Sequence, residues 1–173
     1  MNKHTVRITL AALFVALSVM IGMFCKTFLN FGAGLYRISF ESLPIILSGI
    51  MFGPIVGGVV GGLTDIVSYL LSPQAYPPNF IVTAGCVALG VLSGVVSHYL
   101  WRKRGCLRMV LSCVAAHIVG SMVIKTVGLF QFYGWATLVR IPIYMVIACL
   151  EALLLCALYK NGSFRKLMEK YGF

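Results

Sequence analysis

The sequence predicts an all-α fold: a polytopic membrane protein built as a six-helix transmembrane bundle, one domain over residues 1–173, with both termini in the cytoplasm. Three observations predict it. The chain is 60% hydrophobic and only 10% charged, with a mean hydropathy of +0.97, a composition found in membrane bundles rather than soluble domains. A membrane span takes about 20 apolar residues, so six crossings consume most of the 173 residues and leave little for a soluble domain. The charges are also sorted. With six spans both termini share one face, and that face collects Lys3, Arg7, Arg102, Lys103, Arg104, Arg108, Lys160, Arg165, Lys166 and Lys170, ten of the fourteen basic residues. Basic residues mark the cytoplasmic side. The net charge of +10 is then explained by topology and by anionic lipid headgroups, with no nucleic-acid partner.

The first span runs from about Thr5 to Phe28. Lys3 and Arg7 precede an apolar run too long for a signal peptide's core of about 7–15 residues, and no small-x-small cleavage site stands before Lys26. Residues Asn30 to Glu41 read as a loop with an extended piece from Tyr36 to Phe40. The second span, Ser42 to Gly53, is short for a bilayer. It leads straight into Gly49-Ile-Met-Phe-Gly-Pro-Ile-Val-Gly-Gly-Val-Val-Gly-Gly-Leu-Thr-Asp65, the stretch around which the rest is organised. Gly49, Gly53, Gly57 and Gly61 recur every four residues, with Gly58 and Gly62 beside them. In a bilayer the backbone satisfies its own hydrogen bonds, so such a helix survives, and its small-residue face lets a neighbour approach closely. Pro54 suits the first position of a new helix, where its missing N–H costs nothing; the third span is therefore Pro54 to Leu71.

Ser72 to Asn79 is an uncharged, proline-rich turn. The fourth span is Phe80 to Trp101, Arg102 to Arg108 a basic hinge, the fifth span Met109 to Phe130, and the sixth Leu138 to Tyr159 after a short loop holding Trp135. The tail from Lys160 reads as a short surface helix. The six cysteines include no CxxC pair and no Cys/His set of zinc spacing, so they read as small apolar filler.

Four bases remain on the opposite side: Lys26, Arg37, Lys125 and Arg140. Ionisable groups within spans are expensive and belong against a protein interior or a wet cavity. Helical spacing gathers them with other polar residues. His117, Ser121 and Lys125 lie four apart on one face of the fifth span. Arg140, Tyr144 and Glu151 form a stripe on the sixth, and Asp65, Ser68, Tyr69 and Ser72 one on the third. With Lys26, Tyr36 and Arg37, all of these but the deeper His117 and Glu151 gather near the outer end and outline one outward-facing pocket rimmed by cations and aromatics. Other readings stand beside this one. Lys26 either faces the pocket or snorkels to the interface; Arg37 and Glu41 either serve the pocket or pair with each other. Tyr76 and Trp135 fit an interfacial belt, and the deep His117 and Glu151 read as an interhelix hydrogen bond. No phosphate loop, HExxH, GxSxG or paired-acid motif occurs, so ATP binding of the usual kind and membrane hydrolase chemistry have no visible residues. No two-fold repeat of the secondary-transporter type is seen. No cofactor or metal is expected.

Ala12-Leu-Phe-Val-Ala16, Arg37-Ile-Ser-Phe40 ahead of a short second span, and Phe52-Gly-Pro-x-x-Gly-x-x-x-Gly-x-x-x-Asp65 together resemble the substrate-binding S components of energy-coupling factor (ECF) vitamin transporters, over nearly the whole chain. The Tyr36–Phe40 segment and the Tyr76-Pro-Pro-Asn-Phe80 turn look closest to the folate-specific branch. The resemblance implies a bacterial plasma-membrane subunit, not an enzyme, that captures a vitamin from outside. Ala12 and Ala16 would dock on a shared transmembrane coupling subunit, two ATP-binding cassette ATPases would drive the cycle, and the S component would topple in the membrane. Lys26, Tyr36, Arg37, Asp65, Tyr69, Ser121, Lys125, Arg140 and Tyr144 are the expected substrate contacts. Bases suit the two carboxylates of folate's glutamate tail. Asp65 suits the N–H edge of its pterin, or else is a structural cap within the shared motif. The alternatives are an S component for another anionic vitamin such as pantothenate, a small oligomeric transporter or channel working alone, and a structural subunit with no ligand.

Overall fold

The computed structural model describes residues 3–31, 36–71, 79–100 and 105–171. Helix α1 is Lys3–Phe28. A two-residue antiparallel ribbon follows, β1 (Asn30–Phe31) against β2 (Tyr36–Arg37), and the Ile38 N–H continues it to the Leu29 carbonyl at 3.3 Å. Then come α2 (Ser42–Phe52), α3 (Pro54–Leu71) and α4 (Phe80–Val95), the last running on as π-helix over Val96–Leu100. The fifth rod is composite: α5 (Cys106–Ala116), a π-helical segment His117–Lys125, and α6 (Thr126–Tyr133). A 3-10 turn, Gly134–Val139, leads to α7 (Arg140–Lys160) and a terminal α8 (Gly162–Tyr171). Four stretches are long and apolar enough to cross a membrane, and the 55-residue one, Cys106–Lys160, folds back on itself to supply two rods; the shorter Ser42–Phe52 completes six. The chain is a multi-pass membrane protein. The expected turn from Ser72 and the hinge residues Arg102, Lys103 and Arg104 lie outside the described residues.

Helix α2 is apolar on every face, and every residue except Leu43 is buried, as expected of a helix at the centre of a bundle. Ile45, Ile46, Ile50 and Met51 are at most 1% exposed, and Phe52 meets Phe14 of α1 at 6.0 Å between ring centroids. The predicted break after α2 is present. Gly53 adopts φ 95°, a backbone region that favours glycine, its N–H caps the Gly49 carbonyl at 3.0 Å, and Pro54 opens α3.

The most extensive helix contact joins α3 to α4, and glycines make it. A methyl at Gly57 would stand 2.5 Å from the Gly90 carbonyl oxygen, one at Gly61 would fall on the Cys86 carbonyl, and one at Gly94 would lie 2.5 Å from Pro54 Cα. Gly49 of α2 is pressed against Ser93 and Gly90 of the same helix. The small-residue face is thus an internal seam. Gly53 is not part of it: a methyl there meets nothing within 4 Å, so its role is the turn alone.

One expectation fails at the far end of the bundle. Arg108 is not a hinge cation but a buried residue of α5, 8% exposed. Its Nη2 donates to the Ile50 carbonyl at 3.4 Å, beside His98 Nε2 at 3.0 Å. The last turn of α2 carries carbonyls without helical partners and a partial negative charge, and both side chains answer that demand.

Candidate functional site

At the opposite end the helices splay around a cavity of about 450 Å³. Its walls come from α1, the approach to α2, and α3, α4, the fifth rod and α7. Lys26, Asp65, Tyr69, Ser121, Lys125, Arg140 and Tyr144 all line it, so the stripes deduced from spacing converge on one space. The backbone of Tyr36 and Arg37 forms β2; their side chains lie outside the described residues.

Each cation is held differently. Lys26 is half-buried on α1 and its Nζ donates to the Ser68 carbonyl at 3.4 Å, so it turns inward rather than snorkelling away. Lys125 is buried, 8% exposed. Its stem crosses α4 at Gly85, where a methyl would stand 2.6 Å from Lys125 Cγ, so the glycine leaves the notch that aims this lysine. Arg140, 9% exposed, opens α7 and stacks its guanidinium over the Tyr133 ring at 5.1 Å, a cation–π contact that fixes the plane of the fork.

The acidic wall stands on the α3–α4 seam. Thr83 Oγ1 donates to Asp65 Oδ2 at 2.6 Å and Cys86 Sγ approaches Oδ1 at 3.6 Å. Thr83 is itself placed by Asn79, the N-cap of α4, whose carbonyl accepts its backbone N–H at 3.1 Å. The Asn79 side chain accepts from the Ile81 N–H at 2.9 Å and donates to the Gly128 carbonyl at 2.6 Å, so it caps one helix while bracing another. Each Asp65 oxygen therefore faces one protein donor and keeps further accepting capacity for a ligand.

Glu41, Asn79, Thr83 and His117 also line the cavity although none was counted among the substrate contacts. Asn79 and Thr83 are four apart, a polar stripe on α4 that the helical period could have revealed. Glu41 could not be found that way: its carboxylate sits over α1 at Gly22, where a methyl would stand 2.6 Å from Oε2, and its carbonyl accepts from Ser18 Oγ. His117 and Glu151 do form the anticipated hydrogen bond, at 2.8 Å. Trp135 is exposed and packs edge-on against Phe130, as a belt residue would; Tyr76 lies outside the described residues. Ala12 and Ala16 are exposed on α1 between Ile8 and Met20, a shallow strip on the bundle's outer surface.

Residues 6–168 match a family model described as the ECF transporter, substrate-specific component. Among known relatives, the folate transporter FolT of Clostridium novyi (strain NT) is 33% identical over 82 residues, 46% of this chain and 48% of that protein. The chain thus spans about half the length of this curated relative. Among solved structures, the crystal structure of FolT bound with folic acid superposes with a TM-score of 0.68 at 21% identity, covering 90% of this chain and 93% of that one. That likeness establishes the shared fold.

Proposed function

The chain belongs to the substrate-specific components of ECF transporters, and we propose that within this family it is the folate-binding subunit of an importer. The observation that carries the reading is the make-up of the cavity described above: the cations Lys26, Lys125 and Arg140, a donor-tethered Asp65, and the rings of Tyr69 and Tyr144 all line one space. Folate needs this set. Its glutamate tail carries two carboxylates, for which ammonium and guanidinium groups form the strong, charge-assisted bonds. Its pterin presents adjacent N–H donors that a carboxylate can accept together, and its flat rings suit aromatic walls. The volume, about 450 Å³, falls in the range of about 300–1,000 Å³ of cavities that enclose ligands of this size. The regional similarity to a folate transporter supports the same reading.

The subunit sits in the bacterial plasma membrane with both termini cytoplasmic and the cavity opening outward. It captures the vitamin, docks through the Ala12–Ala16 strip on a transmembrane coupling subunit, and depends on two ATP-binding cassette ATPases for transport. The test is purification of the chain alone, mass spectrometry of any ligand released from it, and calorimetric titration with folate. Saturable folate binding by the isolated chain, with uptake into vesicles only after coupling subunits and ATP are added, is the expected result. Uptake by the chain alone would establish an autonomous transporter instead, and a chain that neither carries nor binds folate would overturn the reading.

A further inference from the structure

The polar side chains beneath the cavity form one hydrogen-bonded chain across three rods. Ser42 Oγ, at the start of α2, donates to Glu151 Oε1 at 2.7 Å. Glu151 Oε2 lies 2.8 Å from His117 Nε2, and His117 Nδ1 lies 3.1 Å from Ser121 Oγ. Glu151 and His117 are 0% and 1% exposed. Ser42, His117 and Ser121 reach the cavity wall, whereas Glu151 stands behind it. An ionisable pair at membrane depth is costly, and well-packed apolar residues would hold these helices together at least as well. The pair therefore calls for a role, and the end of the chain that touches the cavity supplies one.

A serine hydroxyl owns one proton and two lone pairs. Which of them Ser121 turns toward the cavity depends on what His117 asks of it. If Nδ1 carries a proton, the imidazole donates to Ser121 Oγ and the hydroxyl proton is left for a ligand. If Nδ1 is bare, Ser121 must give its own proton to the ring. Glu151 decides between these. A bare charge in a low-dielectric interior is disfavoured, and one proton shared within the His117–Glu151 pair makes it net neutral. The sharing has two forms, imidazolium beside carboxylate, or neutral ring beside carboxylic acid. In both, Nδ1 carries a proton. Lys125 and Arg140, the other charges on these two rods that line the cavity, are left for the ligand's carboxylates.

We infer that the buried His117–Glu151 pair fixes Ser121 as a hydrogen-bond donor to the ligand, and that this donor recognises the ring carbonyl of a pterin. The inference rests on the folate reading and deepens it. The edge of a pterin presents an acceptor, the ring carbonyl, followed by two N–H donors. Asp65 supplies two acceptors for the donors, and Ser121 supplies the one donor that completes the complement. Ser121 is thus a specificity-determining contact, and His117 and Glu151 are positioning residues.

Two measurements test this on the full-length purified protein. Folate and its 4-amino analogue, in which the ring carbonyl is replaced by an amino group, are titrated calorimetrically into the unaltered protein and into Ser121→Ala. The substitution should weaken folate about two- to tenfold, the worth of one neutral hydrogen bond, weaken the analogue less, and so shrink the preference for folate. Equal losses for both ligands, or no loss for either, would overturn the inference. Independently, the nitrogen-15 spectrum of histidine-labelled, folate-bound protein, with His117 assigned by its disappearance in His117→Gln, should report a protonated Nδ1. A bare Nδ1 would overturn the inference whatever the titrations give. Failure of the unaltered protein to bind folate would remove both the inference and the reading beneath it, and is read separately in the first titration.

Discussion

Replacing Gly90 with alanine probes the seam on which the cavity is built. A methyl there would fall on the Gly57 carbonyl oxygen and stand 2.9 Å from the Gly58 nitrogen. Both are backbone atoms of α3, and no rotamer change can move them, so α3 and α4 must part. Overpacking of this kind costs about 1–3 kcal/mol, more than the roughly 0.5–1 kcal/mol that alanine gains over glycine inside a helix. Gly62 provides the control on the same helix pair. Its added methyl would stand 3.3 Å from Val87 Cγ2, a side chain that can give way, so Gly62→Ala should be neutral or slightly stabilising. The displacement also reaches the ligand, because the 2.6 Å bond from Thr83 to Asp65 crosses the seam that Gly90 holds shut. The assay is thermal unfolding in detergent together with calorimetric folate titration. Gly90→Ala should lower the unfolding midpoint and weaken folate about tenfold, the equivalent of one oriented hydrogen bond, while Gly62→Ala keeps both. If the two variants behave alike, backbone approach is not what sets the distance between α3 and α4.

Four further outcomes are expected. Ala16→Trp should abolish uptake in cells carrying every transporter subunit yet leave folate binding to the isolated chain intact, because the bulk blocks docking far from the cavity; parallel loss of both would reassign that strip. Arg140→Lys keeps the charge but loses the fork and its stacking on Tyr133, and should cost about 0.5–2 kcal/mol of folate affinity; calorimetry giving an unchanged constant would mean that the guanidinium does not bind in a bidentate way. Asp65→Asn should weaken folate more than a competitor lacking the pterin, and equal weakening would return Asp65 to a purely structural part. For orientation, a cysteine added after Phe173 should escape impermeant thiol reagents in intact cells while one replacing Gln74 is labelled, and the opposite pattern would invert the topology.

The sequence made the bundle legible because membrane burial leaves coarse marks: apolar length, the Gly53-Pro54 break, and glycines every fourth residue. The pocket was legible for a related reason. An ionisable residue survives in a span only where something receives it, so Lys125, Arg140 and Asp65 announced a shared space before any geometry was known. What stayed hidden depends on contacts between segments distant in sequence. Nothing local to Glu41 says that its carboxylate rests against Gly22, and nothing local to Arg108 says that it turns inward to Ile50, since Arg102, Lys103 and Arg104 next to it favour reading the whole run as exposed. Within the fifth span, His117–Lys125 winds more loosely than an α-helix; such π segments gather at functional positions, and propensity carries no signal for them.

The brevity of α2 has a consequence for what fills the cavity. Its 11 residues rise about 16 Å, and a column crossing the hydrocarbon layer of about 30 Å would need roughly nine more. Those residues are missing from the centre of the bundle, directly above Ser42, and the cavity begins there, with Ser39, Glu41 and Ser42 on its wall. The void is the truncated upper half of a core helix. On the folate reading proposed above, a bound ligand would stand in for absent protein: it would supply the apolar faces that neighbouring helices otherwise lack and the polar ends that the severed column would have buried. On that reading, binding and completion of the fold are one event.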